Sequence, residues 1–345
     1  PKTTDTNANA AIKPKGNGAN VAQDPDGTVT GGNARGEYAT DWQKHRSFNS
    51  KVAAGSHSTI GGGTNNRASG GQSTVAGGNG NTASADRATV GGGRGNRATS
   101  QYSTVGGGQD NTASSGHYTT VGGGQDNTAS TGTHATVGGG QNNISSGGQS
   151  TVSGGINNTA SGSRSIVGGG QNNDAIAQLS FIGGGLNNTA NGDRATIGGG
   201  FNNDAISQFS TLSGGEDNTT SGAHATVGGG DTNTASGSKS TVSGGENNTS
   251  TDTHTTVGGG SGNDATNDYS TISGGQNNTA SGVRSFVGGG LGNTASSTLS
   301  VVAGGESNIA NGTLSTASGY FASTSRWGQF AHASGRFSSS GDAQY

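Results

Sequence analysis

The chain has 345 residues, of which 72 are Gly and only 25% are hydrophobic, and its formal net charge is -3. So little apolar material excludes a conventional core of domain size, and the absence of Cys excludes disulfide staples and thiolate metal sites. The mild acidity leaves no basic footprint for nucleic acid, and no segment approaches the ~18 apolar residues that would span a bilayer. Near-neutral charge together with strictly placed apolar residues argues against disorder.

Residues 1–44 differ in composition from the rest of the chain and read as an N-terminal lead-in and cap. They hold all three Pro, Pro1, Pro14 and Pro25, and one of the two Trp, Trp42. Asp24-Pro25-Asp26-Gly27 reads as a tight turn. Trp42 is expected to cover the open first coil, where unpaired ladder groups would otherwise invite stacking. With no Met at its start, the chain is expected to begin at a processed or truncated end.

Residues 45–316 repeat. One aliphatic residue recurs from Ile60, Val75 and Val90 through to Val302, in seventeen units with fourteen spacings of 15 and two of 16. Two Gly stand at the second and third positions after it, and Asn stands six after it in all seventeen units. Ala stands eight after it in fourteen units, with Ser145, Thr220 and Ser250 as exceptions. Such spacing, with two short β-type runs per unit closed by Gly or Asn turns, predicts an all-β fold: a parallel β-solenoid (β-roll) of about seventeen 15-residue coils. Gly-rich units without a 3.6-residue apolar stripe exclude helix. Period-two alternation sends the aliphatic, the small residue two before it and the Ala inward. The constant Asn is assigned to a left-handed turn position, with its amide bonded to the Asn of the next coil. The two long units carry their extra residue near Ser115 and Thr131, as a bulge that leaves the ladder intact.

One aliphatic and one Ala per coil is little apolar burial against the entropy of ordering fifteen residues, so several chains are expected to associate as a homotrimer. Further apolar residues fall at outward positions: Ile156, Ile166, Ile176, Leu179, Phe181, Leu186, Phe201, Ile206 and Phe209, then Phe286, Leu291, Leu299 and Val301. They are read as contacts between chains. Residues 317–345 widen the spacing and bring Tyr320, Phe321, Trp327, Phe330 and Phe337, so they read as a C-terminal aromatic cap or a transition to a further domain after Tyr345.

Ala317-Ser318-Gly319 and Ala331-His332-Ala333-Ser334-Gly335 resemble the head repeats of trimeric autotransporter adhesins, the YadA-like left-handed parallel β-roll with coils of about fourteen residues. Ala11-Ile12-Lys13-Pro14-Lys15-Gly16 and Gly31-Gly32-Asn33-Ala34-Arg35-Gly36 look like the lead-in of phage and large-virus fibre proteins. Gly335 to Gln344 is similar to the sequence by which those proteins leave the repeat. The resemblance implies a left-handed homotrimer at a cell or virion surface that serves attachment.

Three residues before each aliphatic runs an outward stripe that includes the aromatics and cations His57, Arg87, Tyr102, Tyr118, His134, Arg164, Arg194, Phe209, His224, Lys239, His254, Tyr269 and Arg284. Such side chains could stack on sugars or grip acidic glycans, or could simply cover the coil edge or a seam between chains. The outward Thr and Ser of the second run, as in Thr112 and Ser114, would form a hydroxyl ladder, but Arg67, Arg97, Asp174, Asp204 and Asp264 interrupt it. Gly93-Arg94-Gly95-Asn96-Arg97-Ala98 matches a dinucleotide fingerprint with no helix to follow, so it carries nothing. No nucleophile elbow, phosphate loop or converging carboxylates are present, so no catalytic, cofactor or metal site is expected. The reading is a structural and adhesive trimeric fibre segment of virion or phage tail-fibre type, extracellular, attaching to a host-surface glycan or protein, without nucleic acid or membrane insertion. The alternatives are the head of a bacterial trimeric autotransporter adhesin and a purely structural extracellular filament subunit.

Overall fold

The computed structural model describes residues 18–334, so the motifs at residues 11–16 and 335–344, with Pro1, Pro14, Phe337 and Tyr345, lie outside the described residues. The chain divides into two compact units, 1–157 and 158–345. Each is a parallel β-solenoid, and among the described residues neither contains a helix.

In the first unit, two-residue strands Thr59–Ile60, Thr74–Val75, Thr89–Val90 and Thr104–Val105 stack in parallel, one coil upon the next, with Thr on Thr and aliphatic on aliphatic. A second sheet stacks the Ala runs in the same way, from Arg67–Ala68 onward. In the second unit the aliphatic sheet runs from Ile166–Val167 and the Ala sheet from Thr159–Ala160. Parallel pairing also continues beyond 45–316. Asn20–Val21 pairs with Thr40–Asp41, which pairs with Thr59–Ile60, and Thr316–Tyr320 pairs with Phe330–Ala333.

The coil has one side more than the two-run reading expects. Four residues after the aliphatic, a single residue per coil bridges to its equivalents, as in Thr64 to Asn79 to Arg94 in the first unit and Leu186 to Phe201 to Glu216 in the second. A one-residue ladder of mixed chemistry has no alternation and therefore leaves no sequence signal.

The inward set holds the constant Asn as well as the aliphatic, the Ala and the small residue expected there. Val75, Ala83 and the Ser73 that precedes Val75 by two are all fully buried, and so is Asn81. All seventeen constant Asn are fully buried. Asn81 donates from Nδ2 to the carbonyls of Gly77, 2.8 Å away, and Gly93 in the next coil, 2.9 Å away. Its own backbone N–H reaches Oδ1 of Asn66, and its Oδ1 takes the N–H of Asn96, each at 3.0 Å. Within each unit the coils are therefore joined by a column of amides, and hydrogen bonds hold turns that apolar burial alone would leave loose.

The left-handed residue is not this Asn but the one before it. Asn65, Asp110, Asn142, Asn187 and Asp217 have φ of 54° to 58°. A buried amide that bonds both neighbours needs extended backbone, so the turn falls one residue earlier, where Asn, Asp and Gly bear it best. At the third position after the aliphatic, Gly is required by both backbone and space. At Gly78, with φ of 90°, a Cβ would lie 2.1 Å from the Gly93 carbonyl oxygen and 2.7 Å from Nδ2 of Asn81.

The two long units keep their register: Thr112 pairs with Thr128 and Ala113 with Ala129. Ser115 and Thr131, each at φ of 63°, absorb the extra residue in the turn. At the C-terminal end the spacing narrows rather than widens, because Ala317 stacks on Ala331 fourteen residues later. The paired Gly of the first turn is reduced there to Gly319, which stacks on Gly305.

Trp42 does not close the first coil. It is 42% exposed, while its neighbours Asp41 and Gln43 are buried. Gln43 ends the amide column instead, accepting the N–H of Asn66 at 2.9 Å and donating to the carbonyls of Lys51 and Asn66. Asp41 sits where the repeats place their aliphatic, stacked on Ile60.

Candidate functional site: the left-handed edge

The stripe three residues before each aliphatic is a corner of the coil. All thirteen residues singled out from the sequence, His57, Arg87, Tyr102, Tyr118, His134, Arg164, Arg194, Phe209, His224, Lys239, His254, Tyr269 and Arg284, adopt left-handed backbone with φ of 56° to 62°. The reason lies in the hydrogen bonds. The N–H of the Thr in the aliphatic strand points forward to the next coil, as Thr74 to the Ala88 carbonyl, whereas the corner N–H points back. Arg87 bonds the Gly71 carbonyl at 2.8 Å, His134 that of His117 at 2.9 Å, and Arg284 that of Asp268 at 2.8 Å. Left-handed backbone costs roughly 1–2 kcal/mol for a residue with a Cβ, and Gly would avoid it. Yet from His57 to Leu314 no coil uses Gly at this corner, in a chain with 72 Gly.

Stacking fixes the side chains along the edge. In the first unit Arg87 lies over Tyr102 at 5.1 Å, Tyr102 stacks on Tyr118 at 4.7 Å and 7°, and Tyr118 stacks on His134 at 4.9 Å and 7°. Arg87 also donates to Oε1 of Gln72 at 2.9 Å and to the Tyr102 hydroxyl. A shallow open groove beside it is lined by Ser56, His57, Gln72, Asp86 and Arg87.

In the second unit Arg194 lies over Phe209 at 5.0 Å and Phe209 stacks on His224 at 4.7 Å. His254 stacks on Tyr269 at 4.8 Å, with Arg284 at 5.7 Å from the same ring. Lys239 occupies the corner between these two runs. Arg164 is parted from Arg194 by Leu179, so it stands outside the stacked runs. Phe209, placed by its sequence position both in this stripe and among the outward apolar residues, belongs to the edge as fully as its aromatic neighbours.

Ring faces within these stacks are covered by the rungs above and below. What the edge presents is ring rims, hydroxyls, imidazole nitrogens and cationic heads. Tyr118 and Tyr269 remain 47% and 50% exposed. The Ala-sheet ladder differs: Asp264 there is held above the usual carboxylate range by burial, and its Oδ1 has no partner. Of the outward apolar residues, Ile166 stacks on Phe181 and Leu186 on Phe201, and all four are exposed. Among the described residues no cluster of His, Cys, Asp or Glu could hold a metal ion, and no helix is long and apolar enough to cross a membrane. Comparison with protein-family models and with curated proteins gave no match.

Proposed function

We propose that this chain is a structural and adhesive segment of an extracellular attachment fibre of virion or phage tail-fibre type, assembled as a left-handed homotrimer, with the left-handed edge as its contact surface for a host glycan or protein. One observation carries the adhesive part. A Gly-rich chain keeps large side chains, most of them aromatic or cationic, at a left-handed corner where Gly would relieve strain, and backbone strain retained against an available remedy marks a site of use. Supporting the assembly, exposed pairs such as Ile166 with Phe181 and Leu186 with Phe201 offer apolar surface for a second chain. A second reading, the head of a bacterial trimeric autotransporter adhesin, is favoured by the last described coil, whose fourteen residues match the coil length of that family. Neither reading includes catalysis.

The test is the mass of the purified chain in solution, by light scattering at several concentrations. A mass of three chains that persists on dilution supports the fibre. A folded monomer sinks the trimer and leaves those apolar pairs in water.

A further inference from the structure

In the repeats from 158 to 316 the only Lys and Arg are Arg164, Arg194, Lys239 and Arg284, and all four stand at the left-handed corner. The carboxylates of these repeats stand elsewhere. Asp174, Asp204 and Asp264 lie on the Ala sheet, and Glu216, Asp231 and Glu246 follow one another on the single-residue ladder. Asp193, Asp252 and Asp268 neighbour the corner in sequence, and none makes an ion pair with Arg194, Lys239 or Arg284. The repeats from 158 to 316 thus gather their cations on one edge and leave these three without a carboxylate in ion-pair contact.

They are also regularly placed. Arg194, Lys239 and Arg284 are separated by three coils each, roughly 14 Å at the parallel-strand spacing. Phe209 and Tyr269 hold the two guanidinium groups from one side, at 5.0 and 5.7 Å, so part of the ordering cost of binding is already met. Between them His224, His254 and the Tyr269 hydroxyl supply hydrogen-bonding groups suited to sugar hydroxyls.

We infer that this edge of the second unit binds a linear acidic polysaccharide, laid along the coil axis with sulfate or carboxylate groups over Arg194, Lys239 and Arg284. The inference rests on the attachment reading and names its ligand class. Nucleic acid is the other common linear polyanion, and the ring geometry disfavours it. Base stacking needs open ring faces, and here Phe209 is covered by His224 and Tyr269 by His254 at interplanar angles of 8° and 5°.

The experiment titrates the full chain by calorimetry at low salt with heparin, polygalacturonate, neutral dextran and a single-stranded DNA oligomer. Binding to heparin or polygalacturonate is expected, weakening as salt is added. The variant Arg194→Asn/Lys239→Asn/Arg284→Asn, which keeps left-handed backbone accessible, is expected to lose at least about tenfold in affinity with its circular dichroism and melting unchanged. Should the Asn variant misfold, the Gln triple variant is read in its place. Unaltered affinity in the folded variant, equal binding of dextran, DNA bound as tightly as heparin, or no polysaccharide binding at all overturns the inference. A three-chain mass without polyanion binding overturns it and leaves the fibre standing, whereas a monomer that binds through these cations upholds it and sinks the trimer.

Discussion

Where Val75 or Val90 closes a coil of the repeat, Asp41 closes the coil that precedes Ile60, and where the repeat stacks Asn on Asn, Gln43 meets Asn66. The repeated coils bury apolar groups and amides whose bonds are renewed by each neighbour. The end coil has a neighbour of another kind, and its inward positions turn ionic. Asp41 lies 3.0 Å from Nε of Arg35 and 3.9 Å from Nη2 of Arg46, with all three side chains essentially inaccessible. Arg35 donates onward to the carbonyls of Gly31 and Asn33, and Arg46 to those of Thr30 and Gln43. Burial pulls the Arg46 guanidinium below its ordinary value, with Asp41 opposing. The ladder does not stop at this plug, since Val21 stacks on Asp41 from the other side, so buried ion pairs take the place of apolar burial within the first coils rather than terminate them.

The comparison is broken most severely at Asp41. Asp41→Asn strands two buried guanidinium groups, which already leave Nη2 of Arg35 and Nε of Arg46 without partners. The expected loss is about 3–5 kcal/mol. Because solenoid stability is a sum over neighbours, the loss falls on the end: hydrogen exchange of amides before Ile60 accelerates while the coils near Val90 keep their protection. Uniform loss of protection along the chain would contradict the plug.

Asn188→Ala attacks the other side of the comparison. It removes Nδ2 bonds to Gly184, Gly200 and Asn173, each at 3.0 Å, and leaves the Asn203 N–H without its acceptor. About 3 kcal/mol is the expected cost, measured by denaturant unfolding, and here exchange should rise on both sides of the lesion. If Asn188→Ala melts like the parent, the amide column is not what holds the turns.

How much of this was legible depends on which atoms recur. The period, the inward aliphatic and Ala, the small residue two before the aliphatic and the outward apolar residues could be read, because each repeats one chemistry on one side of the chain. The column of buried Asn was legible as Asn bonded to Asn. Its constancy, however, drew the left-handed turn onto it, when the preceding column of Asn65, Asp110 and Asn142 carries the conformation. Left-handed backbone under Tyr118, Arg194 or His224 was not legible, since no propensity places bulky residues there; only the reversed direction of their N–H bonds accounts for it. Nor could composition distinguish Trp42, expected as a lid, from Gln43 beside it, because an end coil has no second copy to compare with.

Exceptions within the Ala column sharpen the comparison at smaller cost. Ser145 and Ser250 replace Ala, and each hydroxyl meets another buried hydroxyl, Ser150 at 2.7 Å and Thr255 at 2.6 Å. Thr220 also replaces Ala, but Ala225 stands at the partner position and Oγ1 of Thr220 is buried without a partner. Thr220→Val keeps the shape and removes the orphan, so a gain of about 1 kcal/mol is expected in thermal unfolding. Ser250→Ala removes the bond that Ser250 donates to Thr255, which still donates to the Asp252 carbonyl at 2.7 Å, so a loss of less than about 1 kcal/mol is expected. Equal effects at the two sites would mean that hydroxyl pairing is irrelevant to the coil.

The smallest effect lies on the outward face, at Asp264. Thr249 and Thr279 flank it in the Ala sheet, and burial raises its carboxyl above the usual range. A raised carboxyl means that the folded chain holds its proton more tightly than the unfolded chain. The penalty is therefore absent below the unfolded value, grows as pH rises toward the folded one, and is complete above it. Asp264→Asn should accordingly be the more stable form at neutral pH, by less than about 1 kcal/mol. The difference should vanish as the solution is acidified through the carboxylate range. Asp174 and Asp204 hold the same position in other coils, and melting curves of all three Asn variants against pH would show whether the exposed Thr ladder tolerates charge wherever solvent still reaches it. A gain at Asp264 that persists unchanged into acid would assign the effect to the shape of Asn rather than to the loss of charge.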